Sequence, residues 1–206
     1  MNDNYDNSFE LVIGSEGGFQ NSPKDRGNWT TGKIGFGQNR GTKYGITAMS
    51  YPKLDIRGLT LDDAKAIYER DFWATSGAPN LPTGVDYLVF DIGVNHGVDR
   101  AKKWLQEAVG VTVDGKVGPR TIAAAQGQDP VKTIRNLSVI RVRFYSALDN
   151  ETFEKGWLKR AIETTVEAIM MHRDTVYTPV TREPVPLDQS KAEEQKSFFN
   201  EWFRRI

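Results

Sequence analysis

Apolar positions near the start of the chain recur with helical spacing: Phe9, Val12, Ile13 and Glu16 fall at i, i+3, i+4 and i+7. A helix is predicted over roughly Tyr5 to Glu16, closed by Gly17 as its C-cap, and it carries a carboxylate on its apolar face. From Gly17 to Thr47 the helical period disappears into turn formers. Within this stretch Lys33–Gly37 and Thr42–Ile46 alternate briefly between glycine breaks, which predicts a small irregular β-lobe of two or three short strands. Thr60 with Asp63 then makes a capping box, and Leu61, Ala64, Ile67, Tyr68 and Phe72 form the apolar stripe of the helix it starts. Pro79 and Pro82 end that unit.

Beyond Thr83 the helical period is nearly continuous. Val85, Leu88, Val89, Ile92 and His96 share a face that ends at Gly97. A following helix, with Asp99 as expected cap, carries Ala101, Trp104, Leu105, Ala108 and Val109 up to Gly110. Pro119 and Pro130 each stand where a first-turn proline belongs, the second after an Asp129 cap. Ile134, Leu137, Ile140, Arg141, Phe144, Tyr145 and Leu148 make a long stripe. A last helix, about Thr152 to His172, carries Phe153, Trp157, Ala161, Thr164, Ala168 and Ile169. The chain is therefore mainly α, a helical core with a small irregular β-lobe and no internal repeat. Pro179, Pro184 and Pro186 mark an extended linker before a short terminal amphipathic helix bearing Phe198, Phe199, Trp202, Phe203 and Ile206. Its near-neutral charge favours packing against protein over membrane insertion, leaving at most a weak membrane contact.

Composition narrows the chemistry. A chain of 206 residues supports one sizeable core, or one core with a small lobe. Lys plus Arg and Asp plus Glu are balanced at 27 each, so no overall field recruits nucleic acid. No stretch has the length of a membrane span. The polar, acidic start lacks the pattern of a secretory signal, so synthesis in a cytoplasm is expected. Absence of Cys excludes thiol catalysis, disulfides and cysteine-held zinc. The two His, His96 and His172, lie outside any zinc-protease pattern, and no nucleophile elbow is present. The reaction class left to carboxylates and hydroxyls is led by glycosidic bond cleavage, with no metal or organic cofactor.

Glu16 is the candidate general acid, because an apolar surround and a helix C-terminus both favour its neutral, proton-donating form. A solvent-facing rotamer at the helix end is the plainer alternative. Asp25, between Lys24 and Arg26 in a polar loop, is expected to carry its charge and so to act as the second carboxylate. Thr30 and Thr31 follow it, and a threonine hydroxyl beside Asp25 is suited to holding water. Taken singly, Asp25 also reads as a loop cap and the threonines as strand surface. Trp29, Tyr44, Trp73 and Tyr87 are either sugar-stacking surfaces or core. Asn95 and His96 either line a sugar cleft or are satisfied internally. The Asp114–Thr121 run is sound turn chemistry that needs no ligand.

The run Glu16-Gly17-Gly18-Phe19, the run Asp25-Arg26-Gly27-Asn28-Trp29-Thr30 and the run Gly41-Thr42-Lys43-Tyr44-Gly45-Ile46-Thr47 together resemble glycoside hydrolase family 108. Phe90–Gly97 and Asp114–Thr121 are similar to the helical peptidoglycan domain that accompanies it. The resemblance spans about Ser8 to Met171 and implies a distantly lysozyme-like N-acetylmuramidase, a phage or prophage endolysin. It implies that Glu16 is the proton donor, with Asp25 and one threonine assisting. An insertion from Thr31 to Gly41 leaves Thr30, Thr31 and Thr42 competing: Thr42 keeps the family's neighbours, Thr31 the lysozyme spacing. The implied organisation is a catalytic lobe over residues 1–82, a helical peptidoglycan-associated domain over 83–173 and a tail over 174–206. Thr30, Tyr44, Asn95 and His96 are the expected substrate contacts, bacterial peptidoglycan the partner, and a monomer the expected state. The expected site of action is the periplasm or wall, after release through a holin lesion. Lytic transglycosylase chemistry on the same bond, and a non-catalytic wall-binding or secretion-assisting module, are the alternatives.

Overall fold

The computed structural model describes residues 4–13, 18–148 and 151–173, the last segment's side chains from residue 156 onward. Glu16, Gly17 and the terminal amphipathic helix lie outside the described residues, as does the side chain of Phe153. Among the described residues are helices α1 (Tyr5–Ile13), α2 (Leu61–Tyr68), α3 (Val85–His96), α4 (Val98–Val109), α5 (Pro119–Gln126), α6 (Pro130–Ser146) and α7 (Glu151–Arg173). Strands β1 (Thr42–Lys43) and β2 (Ile46–Thr47) complete a mainly α chain with a small β part. Among the described residues two compact units form: α1 as far as Val12 with the chain from Ile67 to Arg173, and Ile13–Ala66. Compactness thus groups most of α1 with the later helices, whereas the sequence boundary falls after residue 82.

In the helical unit α3 is buried almost all round, from Val85 to His96. Leu88, Ile92, Leu105, Ile134 and Leu137, from α3, α4 and α6, are fully buried around it. Tyr5 of α1 meets Trp73 at 5.4 Å and Phe90 at 5.9 Å between ring centroids, and Phe9 meets Tyr68 at 5.8 Å. These tilted and edge-on contacts anchor the short first helix, whose own nine residues are too few to be stable in water.

The helix boundaries follow local chemistry. Thr60 and Asp63 exchange hydrogen bonds as a capping box: Thr60 N and Oγ1 donate to the carboxylate, and Asp63 N donates to Thr60 Oγ1. Asp129 accepts from Val131 N ahead of Pro130. Three expectations need correction. Lys33–Gly37 is not a strand but a series of turns, because Gly35 and Gly37 adopt positive φ and interrupt the pleat. Asp99 is not the α4 cap; the chain reverses at Gly97 alone, with φ 86°, and Asp99 lies in the first turn, where its charge suits the helix dipole. Leu61 is 49% exposed and Trp73, not Phe72, completes the buried stripe. For the exchange of Phe72 for Trp73 the reason is a π-helical turn over Glu69–Ala74, whose wider winding rotates its residues around the axis.

Asp86, in the first turn of α3, is fully buried. Its Oδ1 accepts from Gly84 N and Tyr87 N at 2.7 Å each, and Asn4 Nδ2 lies 3.2 and 3.3 Å from its two oxygens. Burial raises its pKa to about 7, against the pull of these hydrogen bonds. The folded state therefore holds a proton that the unfolded chain releases near pH 4. Its stabilising share is complete below that pH and is lost as pH rises to about 7. Asp86→Asn, which stays neutral, is expected to flatten the fall in melting temperature between pH 5 and 8, measured by circular dichroism.

Candidate active site

The turn-rich unit is organised around Asn28, which is fully buried. Its Nδ2 donates to Gln20 Oε1 at 2.8 Å and to Ser22 O at 3.0 Å. Its Oδ1 accepts from Gln20 Nε2 at 3.1 Å and from Thr42 Oγ1 at 2.7 Å. Gln20 Nε2 also reaches Asp25 Oδ2 at 3.1 Å, so Asp25, Gln20, Asn28 and Thr42 form one continuous polar cluster. Asp25 Oδ1 accepts from Gly27 N at 2.8 Å, which makes Asp25 the cap of the short turn Arg26–Asn28. Backbone bonds hold the cluster together. Gln20 and Thr42 exchange N–H donations to each other's carbonyl at 2.9 and 2.8 Å, and Arg40 N and Gly41 N both donate to Asn28 O.

The three candidate threonines separate. Thr42 sits on β1 with its hydroxyl hydrogen committed to Asn28, which leaves its oxygen lone pairs as acceptors of fixed direction. Thr30 Oγ1 accepts from Gln38 N at 3.0 Å. Thr31 Oγ1 donates to Phe36 O at 2.7 Å and is approached by Lys33 N at 3.3 Å. Thr30 and Thr31 thus tie the inserted loop, and Thr42 alone among the three bonds to the cluster around Asp25. Tyr44 and Gly45, with φ 51° and 75°, are the central residues of the tight β1–β2 hairpin turn, with Lys43 Nζ 5.3 Å from the Tyr44 ring centroid.

Asn95 and His96 belong to the helical unit and are engaged internally. Asn95 Nδ2 donates to Asp91 O at 2.7 Å and to Asp91 Oδ1 at 3.1 Å. His96 packs its ring against Trp104, Phe144 and Tyr145, and its Nε2 lies 2.8 Å from Tyr145 Oη. Tyr145 Oη already accepts from Arg141 Nε at 2.8 Å, so its own proton is available for His96 Nε2. Burial, helped by the Arg141 charge, pushes the His96 pKa well below the ordinary imidazole range. Trp73 and Tyr87 are core residues.

Arg141 Nη1 donates to Asp91 Oδ2 at 2.7 Å and Arg160 Nη2 to Asp91 Oδ1 at 2.6 Å, joining α3, α6 and α7. In the Asp114–Thr121 segment Gln106 of α4 fills the turn: Asp114 N and Gly115 N donate to its Oε1 at 3.0 and 2.7 Å. Sequence reading passed over Gln20, Asn28 and Asp91. Asn28 carried a usable signal, since an Asp-x-x-Asn step in a polar loop suits a capped turn, but Gln20 carried none.

Residues 9–97 match the family model described as Glycosyl hydrolase 108, and residues 100–162 match the one described as Predicted Peptidoglycan domain. Among solved structures the chain is similar to Brucella abortus SagA, at 30% identity and a TM-score of 0.68, over 83% of this chain and 97% of that one. No curated protein matches the sequence.

Proposed function

We propose that this chain, which belongs to the glycosyl hydrolase 108 family, cleaves the β-1,4 bond between N-acetylmuramic acid and N-acetylglucosamine in peptidoglycan. Glu16 protonates the leaving oxygen as oxocarbenium character develops on the sugar. Asp25 and Thr42 position the water that completes hydrolysis. Thr42 accepts one water hydrogen through the lone pairs that Asn28 orients, and the Asp25 carboxylate takes the proton as the C–O bond forms. The observation that carries this reading is the hydrogen-bonded cluster of Asp25, Gln20, Asn28 and Thr42, four to twenty-six residues after Glu16 in the sequence and inside the matched region.

In this reading residues 1–82 supply catalysis and 83–173 act as the peptidoglycan-associated domain. The protein works on the wall as an endolysin, reaching it through a holin lesion. Thr30 and Tyr44, beside the cluster in sequence, contact the glycan. No helix among the described residues is long and apolar enough to cross a membrane. Mass spectrometry of digested walls tests the chemistry: reducing muramic ends support water as nucleophile, and 1,6-anhydro ends overturn it in favour of transglycosylation.

A second test addresses the threonines. Thr42→Val is expected to lower hydrolysis roughly tenfold or more, through loss of one oriented hydrogen-bonding group. Thr31→Val is expected to leave turnover within about threefold, its hydroxyl being spent on Phe36 O. The reverse order of effects, read as kcat on soluble peptidoglycan fragments, rejects the assignment of Thr42.

A further inference from the structure

The turn-rich unit has a charge that the whole chain conceals. Between residues 13 and 66 eight Lys and Arg stand against Glu16, Asp25, Asp55, Asp62 and Asp63, a surplus of three positive charges, although the full chain is balanced. Several of these cations are held in place. Arg40 Nε donates to Gln38 Oε1 at 2.7 Å and its Nη1 to Pro52 O at 3.2 Å. Lys43 Nζ donates to Leu59 O at 2.6 Å, and Arg57 lies over the Phe19 ring at 4.5 Å.

From this basic unit the loop Lys33–Gly37 presents Ile34 at 50% and Phe36 at 67% exposure. The loop is tightly built. Thr31 Oγ1 holds Phe36 O, Phe36 N donates to Lys33 O at 3.1 Å, and Gln38 pairs with Thr30 through two 3.0 Å bonds. Gly37, at φ 77°, leaves no room for a side chain: a Cβ there would stand 2.6 Å from Thr30 Oγ1 and 2.8 Å from Thr31 Cγ2. An apolar pair held outward by this many bonds has no folding reason to face water.

We propose that this loop is a docking finger for the peptidoglycan strand. The Phe36 ring lies on the apolar face of an amino-sugar ring, Ile34 packs beside it, and Lys33 of the loop, with the other cations of the unit, attracts the carboxylates of the peptide stems. The inference rests on the peptidoglycan reading above and adds a contact carried by the inserted loop. Charge selects the occupant, because the polymer is anionic and offers flat C–H faces to an aromatic ring. An anionic membrane shares the charge, but it takes any apolar side chain, whereas stacking requires a ring.

That difference makes the test. Full-length wild type, Phe36→Ala, Phe36→Leu and Phe36→Trp are pelleted with purified insoluble peptidoglycan and, separately, with phosphatidylglycerol vesicles, with circular dichroism as a fold control. Phe36→Ala and Phe36→Leu are expected to weaken wall binding about tenfold and Phe36→Trp to retain it, with kcat on soluble fragments unchanged. Wall binding by Phe36→Ala equal to wild type overturns the proposal, as does absence of binding by wild type. Retention by Phe36→Leu with a loss confined to vesicles overturns it in favour of a membrane contact. Ring-dependent binding without release of muropeptides sustains the finger and removes the hydrolase reading.

Discussion

Glu16→Gln is expected to lower muropeptide release from purified peptidoglycan by roughly 10²–10⁴-fold, the range that general acid catalysis supplies. Glutamine matches glutamate in shape but has no acidic proton to give, so the leaving sugar would depart as an unprotonated alkoxide. Wall binding and thermal unfolding should stay at wild-type values, because the substitution removes only a proton-transfer function. The pair of measurements separates the enzyme from a non-catalytic wall-binding module, whose output would not depend on this side chain. A Glu16→Gln protein that digests walls at a wild-type rate overturns the catalytic assignment, whatever its binding.

Asp91→Asn should produce the largest loss of stability. Asp91 is fully buried between Arg141, whose side chain is 1% exposed, and Arg160, whose side chain is 40% exposed. Burial alone would raise the carboxyl pKa, but the charges of Arg160 and Arg141 and their hydrogen bonds outweigh it and hold it at about 2. Removing the negative charge leaves the Arg141 guanidinium unpaired in the core, at a cost of about 3–5 kcal/mol. For a unit of this size that is a fall in melting temperature of about 12–20 °C. Asp91→Leu combined with Arg141→Met should recover much of the loss, because an apolar pair of similar volume needs no counter-charge. The pH dependence carries the opposite sign to that of Asp86. The Asp91 contribution is fully present above the unfolded carboxyl pKa near 4, and it is lost as pH falls through about 2. An Asp91→Asn protein that melts with wild type at pH 7 would show that the ion pairs only break even.

Much of the architecture was legible in the residues alone, and the reason is range. The Thr60–Asp63 capping box, Asp129 ahead of Pro130 and Gly110 at the end of α4 each act on partners within a few positions, so one turn of sequence contains their cause. The same holds for the apolar stripe of α3. The motifs from Glu16 to Thr47 were readable because their order along the chain is itself the signal, and the family match spans them.

Partners distant in sequence were decided by the fold. Thr31 and Thr42 have the same hydroxyl, yet one bonds Phe36 O five residues away and the other reaches Asn28 across fourteen. Alternation in Lys33–Gly37 imitates a strand, but a strand requires a neighbour, and positive φ at Gly35 and Gly37 denies it one. Asp91 gave no local hint of its two arginines, fifty and sixty-nine residues further on. Helical period and capping report what a residue does to its own turn. Whether a buried charge or hydroxyl finds a partner depends on which distant helix the packing brings beside it, and that is a property of the assembled core.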